Sequence, residues 1–363
     1  MRIINKKTDE EKRNTDHKER SDRKRPRQRR AGCGKKLVRI GILLLLIISL
    51  FVYRDSWREI FTGIRQADWR DTLAGTALAA GAYLLEGMTI FLMMEAVVPG
   101  NSALEGVRIA FLCEFYRLAT LGNGAGIAEI HYLHRDGIEP GSGTVLTMLQ
   151  YMWKKVAIMA LGMFAFAVLY RGGSTRTLLR EYALFMGYGC AGTLAVIGVF
   201  LCLIFSEKVA DLASAGLRAL AGKLPSGRER VLEWERQVRL LNQSGRSVLE
   251  QKRKMGCVLL CQMGKLLLFY GIPVCMLRGG GATGPECVSL MAVAYLLSGV
   301  IPTPSGAGSL EFIFLLFFSG FVEFDKALVA MLVFRFATWI MPSAVGAVLV
   351  AAERARERRT RDY

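Results

Sequence analysis

Ile301-Pro302-Thr303-Pro304-Ser305-Gly306-Ala307-Gly308-Ser309-Leu310-Glu311 interrupts an apolar region, and a strongly apolar run restarts at Phe312. Proline removes a backbone donor and glycine loosens the chain, so no helix passes straight through. Inside hydrocarbon, broken backbone persists only where protein or a water-filled cavity surrounds it. The stretch has an echo: Leu121–Glu129 (LGNGAGIAE) carries the same Gly-Ala-Gly-x-x-Glu. Two interrupted apolar segments in corresponding halves of a membrane protein point to a transport site between inverted repeats.

Working outward, the rest of the 363 residues supports a membrane frame. The chain is 52% hydrophobic, and its apolar runs reach spanning length. Its formal charge of +17 is concentrated: of 48 Lys and Arg, 16 lie before residue 40, 11 between Glu207 and Lys254, and five after Ala352. Positive-inside bias and attraction to anionic lipid account for that pattern, and no folded nucleic-acid reader is visible. Eight cysteines form no C-x-x-C and no Cys/His cluster, so neither a disulfide framework nor a metal or cofactor is expected.

Residues 1–36 mix acids and bases with almost no apolar content and read as a disordered basic cytoplasmic arm. Leu37–Tyr53 then predicts a first span, and Thr72–Val98, Ser142–Tyr170, Tyr182–Phe205, Met255–Leu277 and Asp325–Val350 predict five more. Between Glu207 and Lys254 an apolar stripe on a basic background predicts amphipathic surface helices on either side of Gly222–Gly227. The limbs around each glycine stretch are short. Ile127–Glu139 makes roughly 20 Å of helix against a hydrocarbon core of about 30 Å. Each pair of limbs therefore reads as a re-entrant hairpin, with eight full spans as the alternative that preserves the same parity. With the arm, the 207–254 loop and the 353–363 tail in the cytoplasm, the two hairpins enter from opposite sides. Segments 72–170 and 255–350 then form an inverted repeat within a 37–352 membrane domain. The expected fold is an all-α polytopic membrane protein.

Charges at membrane depth are expensive and mark bundle interiors or cavities. The candidates are Glu86, Glu95, Glu114, Arg117, Glu129, Lys154, Lys155, Lys265, Glu311 and Arg335. Two sets repeat: Glu129 precedes Lys154 by 25 residues, and Glu311 precedes Arg335 by 24. One reading is a midplane substrate pocket. Gly124, Gly126, Gly306 and Gly308 would let backbone approach a ligand, Lys154 and Arg335 would meet an anion, and Glu129 and Glu311 an ammonium group. The other reading has both acids capping short helices or pairing with Lys154 and Arg335. For Glu86 and Lys265 a structural role leads, and for Glu95 interfacial solvation. His131 and Asp136 have an H-x₄-D spacing that a lipid transferase could use, but an interfacial cluster is the better account.

The stretches Leu121–Ile138 (LGNGAGIAEIHYLHRDGI), Ile301–Glu311 and Phe334–Gly346 (FRFATWIMPSAVG) resemble the flippase-like membrane domain of lysylphosphatidylglycerol synthases. The resemblance covers about residues 37–352. It implies a multi-pass protein of a bacterial cell membrane that moves an anionic or aminoacylated phospholipid, or another lipid-linked group, between leaflets. The residues carried over most directly are Gly306, Gly308, Glu311 and Arg335. The aminoacyltransferase domain of full-length synthases has no counterpart up to Tyr363, so the resemblance implies transport rather than catalysis, with a separately encoded synthase as a partner. Homo-oligomerisation stays open, and a scaffold that docks such a synthase is the competing reading.

Overall fold

Asp68 opens α1 (Trp69–Val97): its carboxylate accepts the Arg70 N–H at 3.0 Å, satisfying a donor that a helix start leaves free. At the far end Glu95 accepts the Gly100 N–H at 3.0 Å, where Gly100 turns the chain at φ 99°. Ser102 and Glu105 then cap each other's backbone to start α2 (Ala103–Ala119). The Thr120 hydroxyl accepts the Gly124 N–H at 2.6 Å and begins α3 (Gly124–Arg135). Pro140 opens α4 (Pro140–Arg171), where a missing N–H costs nothing. There follow α5 (Arg176–Phe205), α6 (Lys252–Met276), α7 (Gly284–Ser298), α8 (Ser309–Phe318) and α9 (Phe324–Arg335). A π-helical turn over Phe336–Ile340 joins α9 to α10 (Met341–Arg361).

This computed structural model describes residues 68–120, 124–171, 176–206, 208–209, 211–212, 215–216, 236, 245–277, 281, 283–299 and 308–361. The basic arm, the 37–53 span, the amphipathic helices expected within 207–254 and Gly306 lie outside them, wholly or in large part. Among the described residues there is no strand, and five helical stretches are long and apolar enough to cross a membrane: Trp69–Val97, Pro140–Arg171, Ala183–Cys202, Lys252–Met276 and Phe324–Arg358. The chain is an all-α, multi-pass membrane protein. α7 and α8, at 15 and 10 residues, are apolar but fall short of the roughly 20 a span needs.

Buried apolar side chains gather into two clusters, and each long helix passes from one to the other. α1 runs from Ala79, Ala82 and Tyr83 in the first to Ile90, Met93 and Met94 in the second. The final helical stretch runs the same way, from Phe334 to Val350. α4 and α6 run in the opposite sense, from Leu149 to Leu161 and from Val258 to Tyr270. The α2–α3 hairpin buries Ile109, Leu112, Tyr132 and Leu133 in the second cluster, whereas α7 and α8 bury Leu290, Leu296, Phe314 and Phe317 in the first.

Close approach fixes the first hairpin. A Cβ on Gly106 would overlap the Gly87 carbonyl, and one on Gly87 would overlap the Val107 backbone, so α1 and α2 touch main chain to main chain. Gly346 does the same for α10 against the Phe111 carbonyl of α2. The break in the last span follows from Pro342, which lacks the N–H that would reach the Thr338 carbonyl one turn earlier. Tyr83 of α1 supplies the missing donor: its hydroxyl meets the Thr338 oxygen at 2.6 Å, and Met341 N–H shifts to the Phe336 carbonyl in the π register. Tyr83→Phe should therefore strand a buried carbonyl and lower stability by about 1–3 kcal/mol. Thermal unfolding of the purified protein reads this out; an unchanged transition would mean that the Thr338 carbonyl needs no donor.

Past that break α10 continues through the basic tail to Arg361. Glu353 ties it to the first hairpin, accepting from Arg108 Nε at 2.9 Å, from the Tyr132 hydroxyl at 3.4 Å and from Arg135 at 3.4 Å.

Candidate functional site

Between the two apolar clusters lies a polar layer, and the sequence builds it by interrupting each span near its middle. On α1 Glu86 separates Tyr83 from Ile90; on α4 Lys154 separates Met152 from Ala157; on α6 Gln262 and Lys265 separate Val258 from Leu266. Three ion pairs close within the bundle. Lys265 Nζ meets Glu86 Oε2 at 2.8 Å with side chains only 3% and 11% exposed, and Gln262 donates to the same oxygen at 3.0 Å. Arg117 meets Glu114 at 2.6 Å, one turn apart on α2. Arg335 Nε meets Glu311 Oε1 at 2.6 Å, joining α9 to α8, and its guanidinium stacks 4.2 Å above Trp339.

The two copies of Gly-Ala-Gly-x-x-Glu take different conformations. In the second, Gly308 is the N-cap residue at φ 89°, so Glu311 falls at the third helical position and accepts the Gly308 N–H at 2.8 Å. In the first, Thr120 starts the helix at Gly124 itself. Gly124 and Gly126 therefore lie inside α3, and Glu129 sits a turn too far along to cap it. A Cβ on Gly124 would collide with the Thr120 side chain, which accounts for that glycine; one on Gly126 would find ordinary room beside Thr147.

Glu129 is buried at 9% exposure and Lys154 half-buried, and neither makes an ion pair among the described residues. The capping and pairing account thus fits Glu311 and Arg335 and does not fit Glu129 and Lys154. Trp153 Nε1 and Gln262 Oε1, both buried in the same layer, have no hydrogen-bond partner among the described residues. Among the described residues, the layer thus holds a donor and an acceptor without a hydrogen bond and an acid and a base without an ion pair. A family model described as the lysylphosphatidylglycerol synthase TM region matches residues 37–346. The chain belongs to that family. No curated protein matches it.

In this member of the family, the described candidates divide by partner. Glu86 and Lys265 neutralise each other, as a structural role requires. Glu95 sits at the end of α1, where its backbone carbonyl accepts Lys254 Nζ at 2.8 Å. Lys155 lies 5.5 Å over the Tyr151 ring and beside Gly299, away from the ion pairs. His131 is exposed and packs edge-on against Tyr132, and no hydrogen bond joins it to Asp136 among the described residues. Sequence reasoning missed Gln262, Tyr83 and Glu353. Gln262 left a signal, since it lies one turn before Lys265 on the same face of a span; the other two act on partners more than 200 residues away.

Proposed function

We propose that this protein translocates a phospholipid between leaflets, holding the headgroup in the polar layer while the acyl chains stay in lipid. The observation that carries the reading is the unequal pairing of mid-depth charge. Among the described residues, four acids (Glu86, Glu114, Glu129, Glu311) and four bases (Arg117, Lys154, Lys265, Arg335) reach the bundle interior, and Lys154 and Glu129 have no ion pair there. Charged groups left without an ion pair at such depth are expensive unless a ligand or proton meets them. Family membership supports an anionic or aminoacylated headgroup, with its phosphate met by Lys154 and Arg335.

The opposed directions of α1 and α4 against α6 and the final stretch, with one hairpin in each apolar cluster, support alternating access by two inverted repeats. On the charge argument both termini face the cytoplasm of a bacterial cell.

The test is transbilayer movement of a fluorescent phosphatidylglycerol in vesicles holding the purified full chain, read by quenching from outside. Movement above protein-free vesicles is expected. Lys154→Met should leave the melting transition within about 1 kcal/mol, because no ion pair is broken, and slow movement at least tenfold. Lipid that stays in its leaflet with wild-type protein would sink the reading.

A further inference from the structure

We propose that Glu129 is an exchangeable proton site through which lipid movement is driven by a proton gradient, an inference that rests on the transport reading above. Glu311, its counterpart in the second Gly-Ala-Gly-x-x-Glu, has a cation in Arg335 and accepts the Gly308 N–H. Glu129 has neither kind of support. It is buried, lies past the helix start where no free N–H remains, and has no cationic partner among the described residues. A carboxylate taken out of water without a cation takes up a proton instead of remaining charged.

The helices packed on α3, α2 and α4, and the charges within electrostatic reach of Glu129 bear this out. α2 brings Arg117, already bound to Glu114, together with the Cys113 thiol. α1 brings Glu86, whose charge opposes ionisation of Glu129, and α6 brings Lys265, already bound to Glu86. α4 brings the neutral Thr147 hydroxyl as a hydrogen-bond partner; Lys154, two turns further along the same helix, shares with Glu129 the neighbours Arg117, Lys265 and Glu86. At the other end of α3, Arg135 is held by Glu353 and Glu357 of α10. Both bases closest in electrostatic reach are thus matched to other acids, and the proton is the remaining cation.

Lys154 gives the site its cycle. When a headgroup phosphate sits on Lys154, the layer has no positive charge to spare and Glu129 keeps its proton. When the headgroup leaves, Lys154 is again an unmatched base and stabilises ionised Glu129, which releases the proton to the side then open. Only the Glu129 O–H bond forms and breaks, and one proton crosses per turnover.

Two measurements test this on the full-length purified protein. Infrared spectra at neutral pH should contain a protonated-carboxyl band that Glu129→Gln removes and Glu311→Gln leaves. In vesicles of phosphatidylcholine and phosphatidylglycerol, a trace of labelled phosphatidylglycerol should redistribute about tenfold between leaflets per pH unit of imposed gradient, at one proton per lipid. Glu129→Gln should abolish that response. Glu129→Asp, which keeps a carboxyl, should retain both the band and the response and covers a Gln variant that misfolds. A band that survives Glu129→Gln, a wild type without the band, or a gradient response that survives Glu129→Gln would each overturn the proposal. Wild-type vesicles in which lipid never moves would overturn the transport reading and the coupling with it, while the band alone would still decide whether Glu129 holds a proton.

Discussion

Lys265→Met is expected to lower the stability of the folded protein by about 3–5 kcal/mol, since it strands the Glu86 carboxylate in a dry interior. The pair it breaks is the most enclosed of those in the bundle interior, with Lys265 3% and Glu86 11% exposed. Gln262 still donates to Glu86 at 3.0 Å, but one neutral donor does not replace an ammonium group. Methionine keeps the length of the lysine stem, so the loss reflects charge instead of volume. Glu86→Gln should fall in the same range, because it leaves Lys265 unmatched. The double variant should regain most of the loss, because a neutral amide beside a thioether leaves no buried charge. Unfolding of the two single variants and the double in one detergent forms the cycle; losses that simply add would show that the pair is not coupled.

The second large effect separates binding from architecture at Arg335. Arg335→Gln should reduce lipid movement at least tenfold while most of the fold survives, because Glu311 keeps its cap on Gly308 and is 30% exposed. The charge swap, Glu311→Arg with Arg335→Glu, restores an ion pair across α8 and α9 but not the cap, since arginine cannot accept the Gly308 N–H. Stability should therefore recover in part. Lipid movement should not recover, because an acid now stands where a phosphate would meet Arg335. A swap variant with wild-type transport would assign Arg335 to architecture alone.

How far the sequence could be read depends on the range of the forces involved. Apolar runs and glycine-proline breaks act locally, so the spans at 72–98, 142–170 and 255–277 agree with α1, α4 and α6 to within a few residues. The Glu311–Arg335 contact was legible as well, since an acid just after the break and a base along the next span can meet. The start of α3 was not. It is set by the Thr120 hydroxyl, four residues upstream of the glycine motif's first residue, and this one bond moves Glu129 from a capping to an interior position. Two identical motifs thus acquired different chemistry from neighbours outside them. The Tyr83–Thr338 bond follows the same logic at longer range: Pro342 announces an unsatisfied carbonyl, but nothing local says which helix will answer it.

α10 has a mechanical consequence. It is a rod of 21 residues, roughly 30 Å long, joined at the π turn to Arg335 and fastened just past its middle by Glu353 to Arg108 and Arg135. The part beyond Glu353 is a lever arm. Torque applied to that arm, by lipid headgroups or by a docked protein, would pivot at Glu353 and arrive at the Glu311–Arg335 contact as a change of angle. The first hairpin, fastened at the pivot, would be pulled in the same stroke.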